Sequence, residues 1–117
     1  MASDNHKHVT IIGGGPSGLM AAEVLLSHGI SVDLYDAMPS VGRKFLLAGI
    51  GGLNLTHSED TTRFLSRYTD RQLQIKPWLE HFDAQKVRQW ANDLGVSTFI
   101  GSSGRVFPEA MKAAPLL

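Results

Sequence analysis

The run Val9-Thr10-Ile11-Ile12-Gly13-Gly14-Gly15-Pro16-Ser17-Gly18-Leu19-Met20-Ala21-Ala22 constrains this chain more than any other feature. Glycines at 13, 15 and 18 follow a β-branched stretch and precede a helical pattern, the order of a dinucleotide-binding strand, turn and helix. Gly13 lets the backbone leave the strand in a tight turn, Gly15 leaves room for a pyrophosphate, and Gly18 lets the helix pack close to the strands. A helix starting at Pro16 or Ser17 presents unpaired N–H groups and the positive end of its dipole to phosphates. Pro16 suits that place because a first-turn N–H has no intrahelical partner to lose. Ser17 can add a hydroxyl donor.

The flanks agree with this reading. His8 to Ile12 has the composition of a buried parallel strand. Leu19, Ala21, Ala22, Leu25 and Leu26 populate one broad helical face, and Gly29 supplies a stop. Ser31-Val32-Asp33-Leu34-Tyr35-Asp36 then alternates into a second strand ending in an acid, 18 positions beyond Gly18. A carboxylate there accepts hydrogen bonds from ribose hydroxyls, and its charge disfavours a 2′-phosphate and hence NADP. The pattern points to FAD or NAD. The competing reading is a glycine turn in another α/β fold, with Asp36 a solvated loop acid.

A chain of 117 residues implies one domain at most, with a core feasible at that size. Eleven basic residues balance eleven acidic ones, so no global field draws in nucleic acid or an anionic membrane. The absence of cysteine excludes disulfides, thiolate metal sites and a redox dithiol. His6, His8, His28, His57 and His81 show no paired ligand spacing, so no metal is expected. Met1 to Lys7 is short and polar, and no stretch approaches membrane-spanning length, which makes the cytoplasm the expected location.

Ala37 to Ser58 is rich in glycine, and long irregular segments in that position are usually functional. Helices are expected over Thr61 to Tyr68 and Arg71 to Phe82, with Pro77 a kink or boundary. Asp83 is a good N-cap for a helix carrying Ala84, Val87, Trp90, Ala91 and Leu94 as core, ended by Gly95. Val96 to Ile100 and Arg105 to Phe107 read as strands around the turn Gly101-Ser102-Ser103-Gly104, and Pro108 as the start of a helix over Glu109 to Leu117. The fold class is therefore α/β: a Rossmann-like βαβ unit followed by helices, with an incomplete doubly wound parallel sheet. Residues 1–117 are expected to be the N-terminal portion of an FAD-binding domain belonging to a longer flavoprotein.

At Gly42-Arg43-Lys44, Gly51-Gly52-Leu53-Asn54-Leu55-Thr56-His57 and Gly104-Arg105-Val106-Phe107-Pro108 the chain resembles the bacterial NAD(P)/FAD-dependent oxidoreductases, also described as BaiN-type or aminoacetone oxidase-like flavoproteins. The likeness runs from Val9 to Leu117. It implies FAD as cofactor, NAD(P)H as a possible partner of the full-length protein, and an unidentified small-molecule substrate. On this resemblance Gly13, Gly14, Gly15, Pro16, Ser17 and Gly18 hold the pyrophosphate, and Asp36, with Ala37 beside it, the adenosine ribose. Arg43 and Lys44 lie along the cofactor as cations, while Gly51, Gly52, Asn54 and Thr56 approach the flavin side. Solvated basic residues and a plain glycine turn are the competing accounts of these two groups. Many relatives resemble Gly-Gly-Gly-Arg-Cys-Asn at the third block, whereas Gly52 and Leu53 precede Asn54 here, so that arginine and that cysteine are absent. Arg105 and Phe107 either approach the active site or are a strand-end arginine beside a buried aromatic. His57 is the best acid–base candidate by type and location, but no side chain is assigned as catalytic. Two other readings stay open: an inactive orphan fragment, and an NAD-binding regulatory module.

Overall fold

A computed structural model of the chain describes residues 6–49 and 51–117. Residues 1–5 of the polar amino-terminal segment and Ile50 of the glycine-rich segment lie outside the described residues. The structure divides into two compact units, Met1–Ala48 and Gly49–Leu117, each described by itself.

The first unit is a βαβ crossover. Strand β1 (His8–Ile12) leads into helix α1 (Pro16–Ser27) and then strand β2 (Ser31–Tyr35), followed by a short helix α2 (Arg43–Leu47). The strands pair in parallel, from His8 opposite Ser31 to Ile12 opposite Tyr35. Both alternate in burial, with Val9, Ile11, Val32 and Leu34 half-buried and their neighbours exposed. That alternation differs from the fully buried strands expected of a parallel sheet, because α1 packs on these strands and their other side chains remain exposed. Along α1, Leu19, Ala22 and Leu25 are half-buried, but Ala21 and Leu26 fall on the exposed side. The helix ends as read: Gly29, at φ 71°, donates to the Leu26 carbonyl and Ile30 to that of Leu25, the paired bonds of a Schellman cap. Asp36 is the first residue past β2.

The second unit carries an antiparallel sheet in the order β3 (Thr56–His57), β5 (Arg105–Pro108), β4 (Thr98–Ile100). Helices α3 (Thr61–Ser66), α4 (Gln72–His81) and α5 (Ala84–Asp93) fill the connection from β3 to β4. Its buried residues are Leu53, Ala91, Val96, Val106, Ala113 and Leu116, with Pro108. Asp60 and Asp83 cap α3 and α5, accepting from the Arg63 and Lys86 amides at 3.0 and 2.9 Å. Gly95 closes α5 through a second Schellman pair, in which the buried Val96 donates to Ala91. Ala91 is fully buried while Leu94 at the helix end is exposed. Helix α4 runs through Pro77 without a boundary. The carbonyl that Pro77 leaves without a donor belongs to Leu73, a residue that is 85% exposed.

Among the described residues the parallel sheet consists of β1 and β2, and the other strands pair antiparallel among themselves. One expectation is corrected here: Pro108 does not start a helix. It pairs with Thr98 at the end of β5, and the ladder continues as Glu109 donates to the Ser97 carbonyl at 2.9 Å. A missing N–H costs nothing there, because β3 pairs only with Val106 and Arg105 and stops short of Pro108. Met111, at φ 59°, then turns the chain, and a single 3-10 turn over Ala114–Leu116 is the helical structure beyond it.

Candidate dinucleotide site

The three spaced glycines of the turn are glycine for three different reasons. Gly13 has φ 106°, a conformation L-residues avoid, and its N–H extends the strand pairing to the Tyr35 carbonyl at 2.7 Å. A Cβ on Gly18 would lie 2.0 Å from the Gly13 carbonyl oxygen, so helix and turn can meet only without a side chain. A Cβ on Gly15 would meet nothing within 4 Å. Its backbone is extended, at φ −81° and ψ −177°, and tolerates any residue. Neither packing nor strain explains this glycine, and the empty space beside it is what a closely approaching ligand needs.

The donors fit the same picture. Gly15 is the N-cap of α1 with no side-chain cap, Pro16 has no N–H, and the first helical bond runs from Leu19 to the Gly15 carbonyl at 2.9 Å. The backbone N–H groups of Gly15, Ser17 and Gly18 therefore have no protein acceptor among the described residues. Three unsatisfied donors at the positive end of a 12-residue helix are what binding an anion requires.

Gly14 behaves differently. It is buried, and its N–H donates to Asp36 Oδ2 at 2.7 Å. Asp36 Oδ1 accepts from the Met38 amide, also at 2.7 Å. These two bonds, that from Met38 first, hold the Asp36 carboxyl below the usual aspartate range, helped by the charge of Arg43. Each carboxylate oxygen keeps one lone-pair direction free, enough for a pair of hydroxyl donors. Ala37 is exposed between the acid and Met38. Arg43 and Lys44 stand exposed in the first turn of α2, with Arg43 Nε donating to Ser40 Oγ at 3.1 Å.

Gly51, Gly52, Asn54 and Thr56 belong to the second unit. Gly51 and Gly52 both have positive φ, at 87° and 157°, and a Cβ on Gly52 would come within 2.5 Å of Met111 Cε. Asn54 is exposed with no hydrogen bond from its amide among the described residues, and Thr56 is half-buried opposite Val106. His57 is bound structurally on both ring nitrogens. Nδ1 accepts from the Glu59 amide at 3.0 Å, which leaves Nε2 to donate to the Ser103 carbonyl at 3.0 Å. A 340 Å³ cavity beside it carries little unused chemistry: Arg88 is bound to Thr98, and Asp60 and Asp83 cap helices. Phe107 stacks on Phe99 with ring centroids 5.8 Å apart, and Arg105 is exposed.

Parallel strands joined by a helix, a glycine turn with free donors and an acid past the second strand define a Rossmann-type dinucleotide-binding domain. The family model of the HI0933-like protein Rossmann domain matches residues 7–117, and the chain belongs to that family. It is also 44% identical over 52 residues to the Escherichia coli (strain K12) protein described as "Putative oxidoreductase AegA". That stretch covers 44% of this chain and 8% of the relative. Both agree with the kinship read from the sequence. Among the described residues no helix is long and apolar enough to cross a membrane, and no group of three or more His, Asp or Glu could hold a metal ion.

Proposed function

We propose that this chain is the FAD-binding portion of a flavin-dependent oxidoreductase and that it cradles the ADP half of the cofactor. The observation that carries this reading is the pairing of unsatisfied Gly15, Ser17 and Gly18 N–H donors with open space where a Gly15 side chain would stand. The oxidoreductase class is supported by the relative's description, and FAD over NAD by the resemblance at the Gly42, Gly51 and Gly104 blocks.

Each residue has a defined task in this reading. The three N–H groups donate to pyrophosphate oxygens, and the helix dipole favours their charge. Asp36, held ionised, accepts from the two ribose hydroxyls and repels a 2′-phosphate. Arg43 and Lys44 place cations beside the anionic cofactor. Gly51, Gly52, Asn54 and Thr56 offer backbone and short polar groups to the flavin side. The isoalloxazine ring, when bound, supplies hydride or electron-pair transfer. With both His57 nitrogens bound to backbone, no residue of this chain is assigned to move a proton.

Titration of the purified chain with FAD, ADP and NADH tests the proposal. FAD and ADP are expected to bind, FAD with a change in its visible absorbance, and Asp36→Ala to weaken both about 10- to 100-fold through loss of charged hydrogen bonds. Preference for NADH over FAD would favour an NAD-binding regulatory module. Binding of none of the three would overturn the assignment.

A further inference from the structure

The segment from Asp36 to Gly42 returns to the glycine turn and grips it. Gly14 offers one N–H and one carbonyl, and both are taken: the N–H by Asp36 Oδ2, the carbonyl by the Gly42 N–H, each at 2.7 Å. Val41 closes over the same residue. A Cβ on Gly14 would stand 2.5 Å from Val41 Cγ1, 2.9 Å from Val41 Cβ and 3.1 Å from the acid itself. Gly42 is buried at φ 69° and ψ 19°, a left-handed conformation that costs other residues energy, and its carbonyl accepts from Leu46 at 2.9 Å to open α2. One continuous chain of hydrogen bonds thus runs from the carboxylate through Gly14 to Gly42 and into the helix that carries Arg43 and Lys44.

We propose that Val41 and Gly42 are positioning residues for adenosine recognition, holding Gly14 from its carbonyl side and, through its N–H, the Asp36 carboxylate in the binding arrangement before a ligand arrives. The proposal rests on the dinucleotide reading and assigns Gly14 a role distinct from that of Gly15: it orients the acid while its neighbours donate to phosphate. An acid already held on both oxygens loses little side-chain freedom when a ribose docks, and that saving appears as affinity. The titratable groups on the surrounding elements are Arg43 and Lys44 on α2, His8 on β1, Asp33 and Tyr35 on β2 and Glu23 on α1. Of these, Arg43 is the one whose charge acts on Asp36, while His8 and Asp33 pair with each other at 2.9 Å.

The test is ADP and FAD affinity as a function of pH for the wild-type chain, Val41→Ala, Gly42→Ala and Gly42→Asn, each with a thermal melt. Alanine resists the left-handed region, so Gly42→Ala should weaken binding about 5- to 30-fold. Val41→Ala, at a partly exposed site, should weaken it less and melt close to wild type. Asparagine visits that region more readily and should recover part of the loss. A loosened carboxylate protonates more easily, so the acid-side fall in affinity should move to higher pH in the weakened variants. A lower melting temperature with unchanged affinity and an unmoved acid limb would overturn the proposal while leaving the dinucleotide reading intact. Failure of the wild-type chain to bind either nucleotide would sink both.

Discussion

Exchanging Gly15 or Gly18 for alanine adds the same methyl group to the same turn, yet the two changes should have opposite consequences. At Gly18 the new Cβ would stand 2.0 Å from a backbone oxygen and 3.2 Å from the carbonyl carbon of Gly13, with Ile11 Cγ2 at 3.4 Å. Because real Cβ atoms essentially never approach other atoms within 3.0 Å, turn and helix must separate by about 1 Å, and the obstacle is main chain that cannot rotate away. Overpacking of this kind costs about 1–3 kcal/mol, a fall in melting temperature on the order of 5–20 °C for a domain this small. Gly15→Ala meets nothing within 4 Å and keeps an allowed backbone, so the fold should hold or gain about 0.4–1 kcal/mol from the stiffer unfolded chain. The same methyl fills the space assigned to the pyrophosphate and should cut FAD and ADP affinity by at least about 10-fold, the worth of one charge-assisted hydrogen bond. Thermal melts and nucleotide titrations on both variants read the two effects separately. A Gly15→Ala chain that binds like wild type, or a Gly18→Ala chain that melts like it, would refute the assignment of one glycine to ligand and the other to packing.

Two further expectations concern the second unit. Asp83→Ala removes the acceptor of the Lys86 amide at the start of α5 and should cost about 1 kcal/mol in urea unfolding; Asp83→Ser, which can cap the same amide, should recover most of it. Glu59 binds Arg67 through both carboxylate oxygens at 3.2 and 3.0 Å, its side chain only 11% exposed, and that pairing, with the charge of Arg63 adding to it, lowers its pKa. A carboxyl whose folded pKa is depressed stabilises the fold fully above its ordinary value, and the contribution disappears as pH falls through the folded one. Wild type should therefore lose more stability than Glu59→Gln between about pH 7 and about pH 3, and parallel curves would show that the pair contributes nothing.

What could be read from the sequence was written in short-range signals. The Gly13, Gly15 and Gly18 spacing, the stops at Gly29 and Gly95, the cap at Asp83 and the acid after β2 each act within a few residues or one crossover, and each stands in the structure. The segment after Phe107 was not legible in this way. Pro108 opens a helix as readily as it ends a strand, and the choice was made by Thr98, ten positions earlier in the chain, whose pairing a local pattern does not contain. His57 has the residue type of an acid–base group, yet the carbonyl of Ser103, 46 positions away, and the Glu59 amide engage both its nitrogens.

The glycines of the first turn show most clearly where sequence reading ends. Gly13, Gly14, Gly15 and Gly18 are the same letter, and the motif treats three of them as one signature and the fourth as filler. In the structure that fourth position is itself crowded, pressed by Val41 and bonded to Asp36 and Gly42, whereas Gly15 is open. The difference is set by a segment 27 positions further on, in a stretch with no periodicity to mark it. A visible trace of it was Gly42 itself, a glycine placed immediately before a short apolar helix. A glycine motif therefore says that the backbone must come close to something; only the fold tells whether that something is a phosphate, a neighbouring carbonyl or the protein's own acid.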